Sequence, residues 1–330
     1  MGELKIPENR KIVVGVGSAL MDMLAKEPDE FMTRLGVEKG GMNLVDQNYI
    51  DHLIAQTTSS PSIVSGGSAC NTAIGVAKLG GNGRFVGKMG NDELGELFKQ
   101  DLKNNSVEPV LFNSQTPTGR VLSVITPDAQ RSMFTYLGAS AEMHPDEISL
   151  DCFNDAAIVH VEGYLLFNRD LMMAVLKSAR GNGALISLDL ASFNVVEASM
   201  DILDDIIKDY VDILIANEDE AKAYCGHINE TEAVEALSEN VDVAVLKIGR
   251  RGSLIAQQDQ KLTIDPMGSG EAMDTTGAGD LWASGFLFGM VNGYSFEKSG
   301  QLASACGYEV CQVIGAKIPE GGWSRIRKLI

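Results

Sequence analysis

Nearly unbroken runs of apolar residues alternate with stretches of helical periodicity through the second half of the chain. The apolar runs lie at 156–161, 184–188, 211–215 and 241–248. The stretches between them, at 170–180, 197–208 and 217–225, repeat their apolar positions every three or four residues and predict helices. Apolar strands separated by helices indicate the α/β class, with a mostly parallel central sheet and helices on both faces.

The first half of the chain repeats this alternation less regularly. Strands are predicted at 11–17 and 84–87, and helices at 69–79 and 92–104. Two stretches, 31–45 and 107–137, read as more strand-like and alternate apolar with polar residues, as strands with one exposed face do. We therefore expect one domain over 1–330, with a small β-rich lid whose segments, roughly 18–45 and 107–140, are inserted into the α/β core.

The charge of the chain argues against several classes of partner. Among 330 residues, 45 are acidic and 27 are basic, which gives a formal net charge of −18. Binding to nucleic acid or to anionic membranes depends on Lys and Arg, so neither partner is expected. No apolar run approaches the ~18 residues of a membrane span, and the N-terminal residues lack a signal-peptide cleavage pattern. The five cysteines are scattered, so we expect a cytoplasmic protein with reduced thiols. The oligomeric state is left as either a monomer or a homodimer.

Two glycine-rich segments match nucleotide-binding loops only in part. Gly15 and Gly17 begin a dinucleotide-binding pattern after the first strand, but Leu20 stands where its third glycine belongs. The segment 83–89 is one residue too short for a P-loop, and Met89 stands where that loop has Ser or Thr. A nicotinamide-dependent oxidoreductase is therefore only a weak alternative.

A turn of small residues at 274–280, DTTGAGD, runs directly into a long apolar segment that predicts a helix. Backbone N–H groups at a glycine-rich helix start, together with the helix dipole, form a binding site for an anion such as phosphate. Asp280 would repel a phosphate there unless it takes a proton from a hydroxyl that attacks the phosphorus. The plainer alternative is that Asp280 only caps the helix. An anion site beside a carboxylate base is the minimum equipment for phosphoryl transfer to an alcohol.

This segment resembles the C-terminal signature of the ribokinase (PfkB) family of carbohydrate and nucleoside kinases. A second signature is similar as well, because GGSACNTA at 66–73 leads through LGG at 79–81 to VGKMGNDELG at 86–95. The two motifs stand in the family's order and separation, and the resemblance covers essentially the whole chain. It implies a ribokinase-like fold and a small-molecule kinase that uses ATP and Mg²⁺. The alternative outside the enzymes is a nucleoside or sugar sensor that keeps the fold without catalysis.

The resemblance assigns roles at the point of phosphoryl transfer. Asp280 matches the catalytic base of the family. The backbone amides of Gly277, Ala278 and Gly279 match its anion hole for the transferred group. Arg131 matches an arginine that reaches toward the phosphates when the adenosine-kinase-like branch of the family closes.

The resemblance also assigns a nucleotide and metal side. Asn217 and Glu220 match the family's N-x-x-E motif, which arranges Mg²⁺, its water molecules and the phosphates. Further positions match the nucleotide-binding turns: Lys247, Gly249, Gly252 and Thr275. Asp274 lies near the family's monovalent-cation site, which is built partly from backbone carbonyls, so a requirement for K⁺ stays open.

On the acceptor side, four positions match residues that bind sugar hydroxyls in the family: Asp22, Gly66, Gly67 and Asn71. The adenosine-kinase-like branch is favoured by the segments at 41–46, 116–119 and 131–140, and in it three residues are expected to form an apolar wall for a purine: Leu20, Met42 and Tyr164. Their alternative is packing within the lid or core. Thr276 stands where eukaryotic adenosine kinases often have Asn, and sugar kinases share the threonine. The acceptor is therefore expected to be a ribonucleoside such as adenosine, with a sugar (ribose, fructose or 2-keto-3-deoxygluconate) as the alternative.

Overall fold

The computed structural model of the protein describes residues 4–37, 39, 41–128, 131–257 and 260–330. Strands and helices are numbered along the chain. Within these residues one large sheet contains nine strands: β1 (Ile12–Val16), β5 (Asn82–Gly90), β6 (Val107–Ser114), β9 (Ala156–Glu162), β10 (Leu185–Asp189), β11 (Ile213–Asn217), β12 (Val243–Lys247), β13 (Ser253–Gln257) and β14 (Gln260–Ile264). Their order across the sheet is β14-β13-β12-β11-β10-β9-β1-β5-β6.

All neighbouring strands from β6 to β12 pair in parallel, and only β13 and β14 are antiparallel. Successive side chains of these strands point to opposite faces, so each strand contributes to two cores. Val13 and Ile158 belong to a core beneath one set of helices, whereas Val14 and Val159 belong to a core beneath the other. This double burial explains why the strands read as unbroken apolar runs.

Helices cover both faces of this sheet. One face carries α3 (Ser68–Lys78), α9 (Ala278–Val291), α10 (Phe296–Cys311) and α11 (Glu320–Ile326). The other carries α5 (Arg169–Gly181), α6 (Phe193–Tyr210), α7 (Glu218–Cys225) and α8 (Glu230–Ser238). The predicted α/β architecture is confirmed. No helix within the described residues is both long enough and apolar enough to cross a membrane.

A second sheet forms the lid. Its strands are β2 (Leu20–Lys26), β3 (Met42–Leu44), β4 (Ser62–Gly66), β7 (Gly119–Ile125) and β8 (Arg131–Tyr136), in the order β3-β8-β7-β2-β4. One face packs against α1 (Asp29–Leu35) and α2 (Gln47–Gln56) around Met23, Leu122 and Phe134. The opposite face carries Asp22.

The lid differs from the predicted one at three points. Residues 31–35 are helical rather than strand-like, because Phe31 and Met32 are buried and Gly36 ends the helix with a φ of 64°. β4 also belongs to the lid, although it lies outside both predicted segments. β6, inside the predicted segment 107–140, instead pairs in parallel with β5 at the edge of the large sheet. An edge strand is half exposed, so it shows the same alternation as a lid strand.

Candidate active site

Polar residues end four neighbouring parallel strands at the same edge of the large sheet. Glu162 ends β9, Asp189 ends β10, Asn217 ends β11 and Lys247 ends β12. The register places Asp189 opposite Glu162 and Asn217 opposite Lys247. Because the carboxyl ends of parallel strands form the usual ligand crevice of an open α/β sheet, these side chains line a candidate site.

The N-terminus of α9 lies over this edge. Gly277 precedes the helix with a φ of 71°, a left-handed conformation that favours glycine. A Cβ at Gly277 would also lie 2.6 Å from the Cβ of Ala316, so the turn can only be this tight without a side chain. At this helix start the Ala278 N–H donates to the Thr275 carbonyl oxygen at 3.1 Å, whereas the N–H groups of Gly277 and Gly279 face the position where an anion would bind.

Asp280 is in the first turn of α9 and is held by the start of α3. Its Oδ1 accepts a hydrogen bond from the Ser68 hydroxyl at 2.7 Å, and its Oδ2 accepts one from Asn71 Nδ2 at 2.9 Å. Burial raises the pKa of Asp280 above its usual value, while the hydrogen bonds from Asn71 and Ser68 act in the opposite direction. The result is a fixed, partly buried carboxylate at the helix N-terminus, suited to accept a proton.

Lys247 and Asp189 form an ion pair beside this carboxylate. Lys247 Nζ lies 2.7 Å from Asp189 Oδ2, and both side chains are largely buried. Although burial opposes both charges, Asp189 raises the pKa of Lys247 and Lys247 lowers that of Asp189. The site therefore contains a fixed positive charge next to Asp280.

Asn217 and Glu220 satisfy each other at the start of α7. Asn217 Oδ1 accepts from the Glu220 backbone N–H, and the two Glu220 oxygens accept from Asn217 N and Nδ2, each at 2.7 Å. Burial raises the pKa of Glu220 to about 7, with Lys247 acting to lower it. Both Glu220 oxygens are thus engaged by Asn217.

Asp22 lies on the lid strand β2, close to Gly66 on β4. A Cβ at Gly66 would overlap the Asp22 carboxyl group, so only glycine leaves room for it. At the next residue, Gly67 has a φ of 97°, and a Cβ there would overlap the Ser18 carbonyl oxygen. Burial raises the pKa of Asp22 to about 6, and the charges of Arg131 and Asp280 act on it in opposite directions. Asp22 therefore lies within electrostatic reach of both the lid arginine and the base.

Arg131 and the DTTGAGD turn face each other across a cavity of about 460 Å³. The cavity is lined by Arg131, Met133, Ala272, Met273, Asp274, Thr275, Thr276 and Gly277. Asp274 connects two loops, because it accepts from Thr276 N at 2.9 Å, Thr276 Oγ1 at 2.7 Å and Gly315 N at 2.8 Å. Of the predicted residues, Arg131, Asp274, Thr275 and Gly277 thus share one cavity.

The remaining predicted nucleotide residues lie in the turn after β12. Gly249 and Gly252 have φ values of 58° and 100°, and the Gly252 carbonyl accepts a hydrogen bond from Ile248 N. A Cβ at Gly252 would overlap the Ile264 carbonyl oxygen. Glycine is therefore required here by the close approach of two strand ends, whatever the turn binds.

Leu20 and Met42 share the lid face of Asp22 but lie far apart on it. The pairings Leu24–Ser123, Ser123–Met133 and Met133–Met42 place Met42 three strands from β2, about 14 Å away. On β2, Leu20 lies four residues before Leu24, which adds a distance of about 13 Å along the strand. Tyr164 is in a single turn after β9 and packs against the core of the α5–α8 face. The structure does not bring Leu20, Met42 and Tyr164 together as one wall.

Three polar residues of the site were not singled out by the sequence: Ser68, Glu162 and Asp189. Glu162 is 1% exposed and accepts from the backbone N–H groups of Ser18 at 2.8 Å and Ala69 at 3.1 Å. Burial raises its pKa to about 7. For Glu162 and Asp189 a signal was present, since each is an acid that ends an apolar strand. Ser68 lies inside a recognised motif, but its partner is 212 residues away.

Comparison with known proteins identifies this arrangement. Residues 43–320 match the model of the pfkB family carbohydrate kinase. The chain belongs to this family. It is thus a phosphotransferase that acts on a hydroxyl group of a small molecule, and kinases of the family use ATP, generally with Mg²⁺. The predictions of a ribokinase-like fold and a PfkB-type kinase are confirmed.

Relatives of this kinase are named for different acceptors. A probable sugar kinase from Rhizobium etli CFN 42 is 32% identical, with a TM-score of 0.89 over 97% of this chain and 99% of its own. The adenosine kinase from Sinorhizobium meliloti is 30% identical, with a TM-score of 0.88 over the same shares. A nucleoside kinase from Methanocaldococcus jannaschii is 29% identical, covering 79% of this chain and 83% of its own.

Proposed function

We propose that this kinase transfers the γ-phosphoryl group of ATP to the primary hydroxyl of a ribonucleoside such as adenosine. The observation that carries the proposal is the Asp280 carboxylate, fixed by Ser68 and Asn71 at the N-terminus of α9. Asp280 accepts the proton of the attacking hydroxyl, while the oxygen of that hydroxyl forms a bond to the γ-phosphorus. The bond between this phosphorus and the β–γ bridging oxygen breaks, and ADP leaves.

The helix start supplies the second part of the proposed chemistry. Charge on the transferred group is stabilised by the N–H groups of Gly277 and Gly279 at the positive end of α9, while the predicted third donor, the Ala278 N–H, is bonded to the Thr275 carbonyl oxygen. Arg131 faces the same turn across the cavity and adds a positive charge from the lid. Closure of the lid over this cavity would exclude water, so that the acceptor hydroxyl rather than water is phosphorylated.

On the acceptor side, Asp22 is proposed to bind vicinal hydroxyls of a ribose, with Gly66 and Gly67 giving the backbone room to approach. Asn71, which contacts Asp280, would serve the same hydroxyls. A nucleoside is favoured by the adenosine and nucleoside kinases among the relatives. The same lid face would hold the base beside Leu20, which lies two residues from Asp22 on β2. Met42 is 44% exposed on this face but lies three strands away, so it is not part of this contact.

A free sugar is the second candidate acceptor. The similarity to the probable sugar kinase of Rhizobium etli favours it, and so does Thr276. In the structure the Thr276 N–H and hydroxyl both donate to Asp274, a contact that a nucleoside kinase and a sugar kinase could share, so Thr276 does not separate the two candidates.

The residues present fit Mg²⁺ as the companion of ATP. No three His, Cys, Asp or Glu side chains are grouped for metal binding within the part of the chain that the structure describes. Mg²⁺ needs no such group, because it keeps several waters and also binds the substrate phosphates. Asn217 and Glu220 would hold it, and since Asn217 already engages both Glu220 oxygens, Glu220 would act through water. When bound, Mg²⁺ neutralises charge on the phosphates.

A monovalent cation such as K⁺ would lie beside Asp274. The Asp274 carboxylate accepts three hydrogen bonds from the 276 and 315 loops, so these loops are held at a fixed distance around that position. We also place the enzyme in the cytoplasm, because all five of its cysteines are free.

The test is ATP- and Mg²⁺-dependent phosphorylation across a panel of adenosine, inosine, guanosine, ribose, fructose and 2-keto-3-deoxygluconate. Turnover of nucleosides alone is the expected result, and turnover of a free sugar alone would overturn the acceptor assignment. Asp280→Asn is expected to lower kcat by roughly 10²–10⁴-fold, the usual contribution of a positioned base. Near-wild-type turnover by this variant would contradict the role of Asp280 whatever the acceptor.

A further inference from the structure

The ammonium group of Lys247 lies against the first turn of α9, where the transferred phosphoryl group is proposed to bind. A Cβ placed on Gly279 would be 3.0 Å from Lys247 Nζ. Real Cβ atoms are rarely that close to a neighbour, so glycine at 279 allows Lys247 to approach the helix. Gly279 therefore contributes space for a cation as well as a backbone N–H group.

Lys247 has donors to spare in this position. An ammonium group carries three N–H donors. Among the described residues, only Asp189 accepts a hydrogen bond from Nζ, at 2.7 Å. The Lys247 side chain is only 14% exposed, so water can accept few hydrogen bonds from its other N–H donors. Within the part of the chain that the structure describes, two of the three Nζ donors therefore have no protein acceptor.

The surrounding charges indicate what those donors bind. The N-terminus of a helix repels a cation, so α9 alone disfavours Lys247. The carboxylates of Asp189, Glu220 and Asp280 hold the ammonium there. An anion that arrives at the helix start would lie next to both the free N–H groups of α9 and the free donors of Lys247.

We infer that Lys247 is a catalytic residue that donates a hydrogen bond to a non-bridging oxygen of the γ-phosphoryl group during transfer. Asp189 is its positioning residue and holds the ammonium toward α9. This inference rests on the proposed phosphoryl transfer, but it does not depend on which acceptor is phosphorylated. The alternative is that Lys247 and Asp189 form a purely structural buried ion pair.

A double-variant series separates these two roles. Removing one partner of a buried ion pair destabilises a protein, and removing both often restores stability. Lys247→Met and Asp189→Asn are each expected to lower the melting temperature, and the double variant should recover part of that loss. kcat should fall about 10²–10³-fold in Lys247→Met, the cost of losing one oxyanion donor, and should stay low in the double variant. Recovery of kcat together with stability would overturn the inference.

Lys88→Met is the matched control. Lys88 is also a largely buried lysine on the large sheet, and its Nζ lies 2.8 Å from Glu147 Oε1, away from α9. Its substitution is expected to lower the melting temperature with kcat within about threefold of wild type, because hydrogen-bond donation to phosphate is unaffected. A kcat loss as large as that of Lys247→Met would assign the effect to general destabilisation.

A binding measurement makes the test independent of turnover. Calorimetric titration with ADP, Mg²⁺ and fluoroaluminate, a mimic of the transferred group, should show affinity for the mimic reduced at least 10-fold in Lys247→Met. Affinity for ADP with Mg²⁺ alone should change less than threefold. Equal losses for both ligands would contradict contact with the γ-phosphoryl group. A wild-type enzyme that binds the mimic yet phosphorylates nothing in the panel would refute the proposed function while still testing Lys247.

Discussion

Removal of the Ser68 hydroxyl should move the pH dependence of the reaction rather than merely slow it. In the structure this hydroxyl donates to Asp280 Oδ1 at 2.7 Å, and the bond favours the ionised carboxylate. Hydrogen bonding to the charged form lowers a pKa, so its loss in Ser68→Ala raises the pKa of Asp280. The base is then protonated, and inactive, over a wider range of acidic pH.

The size of this effect follows from the kind of bond that is lost. A hydrogen bond to a charged group contributes about 1.5–3 kcal/mol, and one pKa unit corresponds to 1.36 kcal/mol, so the acid limb should move upward by about 1–2 pH units. Asn71 still donates to Oδ2 in this variant, which keeps the carboxylate in place. At high pH, where Asp280 is ionised in both enzymes, the two rates should converge.

The assay is the pH profile of kcat/KM, which reports the ionisations of the free enzyme. Because burial raises the pKa of Asp22 to about 6, the acid limb is fitted with two ionisations, of which only one should move. Thr72→Val is the control, because the Thr72 hydroxyl donates to the main-chain oxygen of Asp280 at 3.1 Å and not to its carboxylate. A profile for Ser68→Ala that is lowered by the same factor at every pH would refute this reasoning.

Two other predictions concern acceptor binding and stability. Asp22→Asn should raise KM for the acceptor at least tenfold while KM for ATP changes less than twofold, because it weakens only the hydroxyl contacts; equal increases in initial-rate measurements would count against this role. Burial raises the pKa of Glu162 from its ordinary 4.5 to about 7, although the backbone N–H groups of Ser18 and Ala69 act in the opposite direction. The stability present below pH 4.5 is therefore lost as pH rises through 7, by about 3 kcal/mol for this group. The melting temperature of the unliganded enzyme should fall between pH 5 and 8, and a flat profile in calorimetry would contradict it.

The core of the fold was predictable because double burial leaves a direct trace in the sequence. Val13 and Val14 are adjacent and both fully buried, each in a different core, so polar residues are excluded from the middle of such a strand. The lid was harder to delimit. A half-exposed strand looks the same at the edge of the large sheet as in the lid, and the assignment of β6 depends on its pairing with β5.

The site was predictable where chemistry is local in sequence and not where it joins distant segments. The anion site and Asp280 lie within seven consecutive residues, so their spacing carries the prediction. The groups that hold Asp280 come from α3, and the group that holds Lys247 is 58 residues away. The hydrophobic periodicity of the sequence does not reveal contacts between segments that lie so far apart along the chain. The wall of Leu20, Met42 and Tyr164 was expected from motif matches alone, and the distances across the lid face do not support it in this arrangement.

The site concentrates acids at the place where the anionic phosphates of ATP are proposed to bind. Burial raises the pKa values of four acids in the site: Asp22, Glu162, Glu220 and Asp280. The folded enzyme therefore disfavours the ionised forms of these groups more than the unfolded chain does. A base kept in that condition accepts a proton more readily than an exposed aspartate does. The positive charges of Lys247, Arg131 and the α9 N-terminus limit the cost, and bound Mg²⁺ would reduce it further. The buried acids that serve the transfer therefore lower the stability of the fold. Binding of ATP with Mg²⁺, which adds positive charge beside these acids, should raise the stability again.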